Sequence, residues 1–113
     1  MHKLHDELRY DSLEALTAGI EPGTLVFALS DAVALGAVRE LREEGRELGA
    51  DVAMAGFDDI PSSSDVTPQL TSVRIPLEEV GYQAVRAAID ADWVPSPLPL
   101  EVHLRDSTPQ LRV

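Results

Sequence analysis

Apolar positions along the chain fall into runs of two kinds. "TLVFAL" (24–29) and "DVAMAGF" (51–57) are nearly continuous, the pattern of strands buried on both faces of a parallel sheet. Between them, "SDAVALGAVRELREEG" places Val33, Ala34, Ala37, Val38 and Leu41 on one helical face. Ser30-Asp31 suits its start, and Gly45 suits the position just past its end. Residues 24–57 therefore predict a β-α-β unit with parallel strands.

Four more elements flank this unit. "DSLEALTAG" predicts a short helix, with Asp11 or Ser12 as cap and Leu13, Leu16 and Ile20 turned to the core. "LTSVRI" (70–75) predicts a third strand, and Pro76 opens a helix whose stripe is Leu77, Val80, Ala84, Val85, Ala88 and Ile89. "DWVPSPLP" is a Pro-rich linker. In "LEVHLRDS", Leu100, Val102 and Leu104 alternate with Glu101, His103 and Arg105, which predicts a half-buried last strand. The fold class is α/β: a three-layer, open, mostly parallel sheet with flanking helices.

Composition narrows the chemistry. The 113 residues fit one small domain, and 44% are hydrophobic, enough for a core. A formal net charge of -11 opposes a nucleic-acid surface, which needs clustered Lys and Arg. The same charge opposes an anionic membrane surface. Cysteine is absent, which excludes disulfides, thiolate nucleophiles and Cys-based zinc sites. Lys3 is the sole lysine, so a Walker-type phosphate loop or a Schiff base has no lysine elsewhere to use. The N-terminal residues are too polar for a signal peptide, and no apolar run reaches membrane-spanning length. A cytoplasmic location, with no metal and no cofactor, is the expectation.

Acids at the strand ends carry the remaining chemistry. Ser30-Asp31 follows the first strand and Asp58-Asp59 the second. Parallel strands bring both groups to one edge, where open α/β sheets bind ligands. Asp31 reads as a helix cap or a ligand contact. Asp58 and Asp59 read as turn starters before Ile60-Pro61 or as ligand acceptors. Three carboxylates would suffice for a divalent metal, yet no acid-rich loop of Ca²⁺ spacing appears. His2 and His5 lie at the N-terminus, and His103 falls on the polar side of its strand, so the histidines add no catalytic pattern. Trp93 reads as a packing anchor or a stacking face for a sugar.

Taken in order, "VFALSDAVALGAVRELREEGRELGADVAMAGFDDIP", "TPQLTSVRIPLEEVGYQAV" and "LEVHLRDST" resemble the C-terminal part of LacI/GalR-family transcriptional regulators, from about Leu25 to Thr108. The resemblance implies part of a type I periplasmic-binding-protein-like effector domain, with residues 1–113 forming one partial domain and no DNA-binding domain. It implies a sugar-like or nucleobase-like effector and a homodimer. By position it assigns Asp58, Ser30 and Asp31 to ligand binding. It assigns the helix bearing Leu35 and Val38, and the loop around Val66, to the dimer interface. Arg105 would be structural and Asp59 a turn residue. Such a chain is not an enzyme and does not bind operator DNA alone; a transport-type solute-binding fragment and a metal-dependent carboxylate hydrolase are the alternatives. The resemblance also places the 76–91 helix against strands not found in this sequence. The expectation is that this helix folds back on the chain's own sheet or is buried in a dimer, since exposed apolar stripes are rarely tolerated.

Overall fold

The computed structural model describes residues 19–109. The helix expected at 11–19 lies almost wholly outside them. Strand β1 (Thr24–Phe27) leads to helix α1 (Asp31–Glu43) and then to β2 (Val52–Ala55). β1 and β2 are parallel, with Thr24 opposite Val52 and Phe27 opposite Ala55. A short 3₁₀ turn at Pro61–Ser64 precedes β3 (Ser72–Arg74), which is followed by α2 (Leu77–Ile89) and β4 (Glu101–His103). β3 and β4 form an antiparallel ribbon.

The chain beyond β2 joins the two ladders. Parallel bridges pair Ala55 with Thr71 and Asp58 with Arg74. The Gly56 N–H donates to the Thr71 carbonyl and the Asp58 N–H to the Val73 carbonyl, each at 2.9 Å. The four strands thus lie side by side in the order β1-β2-β3-β4.

Capping shapes α1 as its sequence predicts. Ser30 is the N-cap, its hydroxyl accepting from the Val33 N–H at 3.2 Å. Gly45, at φ +78°, takes the left-handed position past the end, and the Arg46 N–H returns to the Leu41 carbonyl. Ala34, Val38 and Leu41 of α1 pack with Ala28, Val52, Met54 and Leu70 to form the core. This core is small, so hydroxyls supplement it. Thr71 and Thr108 share a hydrogen bond of 2.6 Å between their Oγ1 atoms. The Ser107 hydroxyl donates to the Met54 carbonyl at 2.5 Å and accepts from the Thr71 N–H at 2.8 Å. The Ser107-Thr108 pair therefore staples the tail across β2 and β3.

Three expectations are corrected. β1 is not buried on both faces: Val26 packs against the core, but Leu25 and Phe27 are exposed. The α/β class with a parallel sheet and helices itself stands, α1 covering one face of the sheet among the described residues. β4 is not half-buried through its apolar side. Leu100, Val102 and Leu104 are exposed, because β4 pairs with β3 and nothing described lies over it. Nor does α2 fold back on the sheet. Leu77, Val85 and Ile89 stay exposed, Ile89 at 75%, and Gln83 is its one buried residue.

The arm containing α2 has its own small packing. Gln83 Oε1 accepts from the Ser96 N–H at 2.9 Å. Arg86 lies 4.5 Å over the Trp93 ring, and Tyr82 meets that ring edge-on at 6.1 Å. Trp93 is thus a packing anchor for the linker.

Candidate functional site

The edge beyond β1 and β2 brings the predicted acids to one end of the sheet but gives them different environments. The Asp31 N–H donates to the Phe57 carbonyl at 2.8 Å, which stitches the start of α1 to the segment entering Asp58. Asp31 itself is completely buried. Its Oδ1 accepts from the Ser72 hydroxyl at 2.7 Å. Its Oδ2 accepts from the Ser63 hydroxyl and from the Ile60 N–H, the latter at 3.0 Å. A buried carboxylate is tolerated when its lone pairs are filled in this way. Asp31 is therefore a structural hub for the loop, and its assignment as a ligand contact is corrected: no face of it reaches solvent. Gly56 follows from the same packing, since a Cβ there would collide with the Asp31 carboxylate and crowd Leu70.

Asp59 is tied down as well. Its Oδ1 accepts from Arg105 Nη1 at 2.7 Å. Its Oδ2 accepts from Arg74 Nε at 2.8 Å. Arg105 Nη1 also donates to the Leu70 carbonyl at 2.7 Å. The bonded Arg105, with Arg74 beside it, holds the Asp59 carboxyl below the usual carboxylate range, against the opposing pull of burial. Asp59 is more than a turn residue. The sequence reading missed this ion cluster and the two hydroxyls on Asp31. One signal was present: Arg74 stands in "LTSVRI", a segment otherwise apolar or hydroxylic.

Asp58 stands apart from both. Its backbone is bound through the Val73 carbonyl, yet its half-buried carboxylate has no hydrogen-bond or ion-pair partner among the described residues. Asp58 and Asp59 have φ of +112° and +55°, a region rarely used by residues with a Cβ. Ser30 lies at the same edge. Its hydroxyl oxygen accepts the cap bond and keeps an O–H to donate. The site thus offers an acceptor-only carboxylate and a hydroxyl donor. The described residues hold no group of three His, Cys, Asp or Glu suited to a metal ion.

The expected interface residues divide similarly. Val38 is in the core at 5% exposure, so its assignment to a surface between copies is corrected. Leu35 and Val66 are half-buried against that core and retain an outward part.

Open α/β sheets commonly bind ligands beyond the C-terminal ends of their parallel strands, the edge at which Asp58 stands. Comparison with known proteins makes this specific. Residues 2–108 match the periplasmic binding protein-like domain. The transcriptional regulator MalR of Streptomyces coelicolor is 42% identical over 67 residues, 59% of this chain and 20% of that protein. The lactose operon repressor of Rhizobium radiobacter is 34% identical over 85 residues, 74% of each chain. Among solved structures, the lac repressor dimer bound to operator and an anti-inducer superposes with a TM-score of 0.72 at 31% identity, covering 85% of this chain and 35% of that one. A regulator from Enterococcus faecium with bound ribose gives 0.71 at 30%, covering 85% and 39%. The chain belongs to the LacI family of transcriptional regulators, within the periplasmic-binding-protein-like fold. It spans about a fifth of the length of the curated regulators it matches first.

Proposed function

We propose that this chain is a single partial domain supplying one wall of the effector cleft of a LacI-type transcriptional repressor. Asp58 accepts hydrogen bonds from a hydroxyl- or N–H-bearing small molecule, and Ser30 donates to it. The effector is of sugar or nucleobase type; neighbouring structures carry ribose and sucrose. The observation that carries this reading is the unpartnered Asp58 carboxylate, held at the ligand edge while Asp31 and Asp59 beside it are spent. The outward parts of Leu35 and Val66 contribute to a homodimer. The chain performs no catalysis and acts in the cytoplasm, with operator contacts made elsewhere in the assembly. Relatives named as transcriptional regulators and a lactose operon repressor support this over a transport protein or a hydrolase.

The test is a thermal-shift screen with ribose, sucrose and nucleosides, followed by calorimetry on any hit. Binding by the wild type and its loss in Asp58→Ala, with folding unchanged, is the expected result. A hit that binds Asp58→Ala equally well removes Asp58 from the site. Sedimentation of wild type against Leu35→Glu checks the dimer.

A further inference from the structure

Among the described residues, the chain leaves for α2 through β3 and returns through β4. The β3–β4 ribbon is therefore the link between the α2 arm and the core. Each segment of the ribbon contributes one arginine: Arg74 ends β3, and Arg105 lies two residues past β4. Both guanidinium groups converge on one carboxylate, that of Asp59, at 2.7 Å from each. The backbone is gripped from the same side. The Asp59 N–H donates to the Ser72 hydroxyl at 3.0 Å, and the Asp58 N–H to the Val73 carbonyl at 2.9 Å.

This grip explains an otherwise costly backbone. Two consecutive non-glycine residues at positive φ persist where their surroundings over-determine them. A turn that merely reversed the chain would need no arginine from either ribbon segment.

We infer that Asp59, clasped by Arg74 and Arg105, is a positioning residue that aims Asp58 and joins the Asp58 turn to the β3–β4 ribbon as one mechanical unit. A ligand pulling on Asp58 then loads the ribbon leading to α2, and reorientation of α2 changes the aim of Asp58 in return. The lowered proton affinity of Asp59 agrees with a clasp that stays charged near neutral pH. The functional half of this inference rests on Asp58 as the effector contact; the clasp itself does not.

The experiment is residue-resolved amide hydrogen exchange on the full 113-residue chain, comparing wild type with Asp59→Asn, Arg105→Gln, Arg105→Lys and Arg74→Gln. Val38→Ala serves as a purely destabilising control. Arg105→Gln and Asp59→Asn are expected to speed exchange at Asp58 and Asp59 by about tenfold more than at Leu41 in α1. Arg74→Gln, at an exposed pair, gives about threefold, and Arg105→Lys restores most of the protection. Val38→Ala speeds turn and helix amides together. The clasp is refuted if turn amides follow Leu41 in every variant, or if Arg105→Lys exchanges as fast as Arg105→Gln. Should Arg105→Gln not fold, Arg74→Gln carries the same comparison from an exposed side chain. Titration of wild type with ribose and with sucrose, read at the Asp58 amide, tests the effector reading separately, since silence there leaves the exchange result standing.

Discussion

The core unit and the α2 arm are built from the same kind of sequence but end differently. Both α1 and α2 span 13 residues, and both carry an apolar stripe at helical spacing. α1 has Ser30 as a side-chain cap and sets Ala34, Val38 and Leu41 into the core. α2 starts at Pro76 without a side-chain cap and leaves Leu77, Val85 and Ile89 exposed. Amphipathic patterning specifies that a face seeks burial; it does not specify what buries it. The difference ranks substitutions, because changes in the core unit meet packed neighbours and changes on α2 meet solvent.

The largest effect belongs to the buried hub. Asp31→Ala leaves the buried hydroxyls of Ser63 and Ser72, and the part-buried Ile60 N–H, without the acceptor they now share. Each unsatisfied buried donor costs about 1–3 kcal/mol, so a loss on the order of 3–5 kcal/mol is expected. That is a large share of a small domain's stability. Urea unfolding checks it; a loss below about 1 kcal/mol would mean the hub is solvated or open.

Gly56→Ala comes next. The added Cβ meets the Asp31 carboxylate with no flexible tip to yield, so about 1–3 kcal/mol is expected from overpacking. The matched change at Gly36 in α1, where a Cβ meets nothing, is expected to stabilise by about 0.5–1 kcal/mol through helix propensity. Equal melting temperatures for the two variants would contradict the close approach at Gly56.

The Asp59 clasp gives a smaller, pH-dependent effect. Its folded proton affinity lies below the ordinary value of 3.8, so the clasp adds stability that is fully present above that value. This contribution fades as pH falls through the lowered folded value, where the native carboxylate must at last take a proton. Wild type should therefore lose stability faster than Asp59→Asn below about pH 4, and the two should run parallel from about pH 6 to pH 8. Acid titration followed by circular dichroism reads the difference. Screening at the exposed Arg74 keeps its share of the effect modest.

These sites mark where the sequence was legible. The β-α-β unit could be read because its periodicity, cap and closing glycine agree from Ser30 to Gly45. Asp58 could be placed at the C-terminal edge of the sheet because parallel strands leave little choice of edge. The fates of Asp31 and Asp59 were not legible. They depend on Ser63, Ser72, Arg74 and Arg105, which lie 15 to 46 positions away along the chain and meet them only after folding. Leu100, Val102 and Leu104 misled for the complementary reason: alternation shows which side chains share a face, while a covering layer is a separate fact.

The smallest expected effect tests the α2 arm most directly. With its stripe in solvent, Ile89→Ser removes no described contact, and a dilute monomer should change by less than about 0.5 kcal/mol. Burial against another surface would raise that cost to about 2 kcal/mol or more, since a covered Ile side chain carries transfer energy of that size. The same unfolding experiment at two protein concentrations separates the cases. A cost that is small when dilute and grows with concentration shows that a second copy covers the stripe, because association adds stability by mass action. A small, concentration-independent cost leaves α2 uncovered in this chain. A large, concentration-independent cost would mean that the chain covers its own helix, which contradicts the exposure of Leu77, Val85 and Ile89. Emission from Trp93, the sole tryptophan, follows the arm throughout, because its packing on Tyr82 and Arg86 is local to that unit.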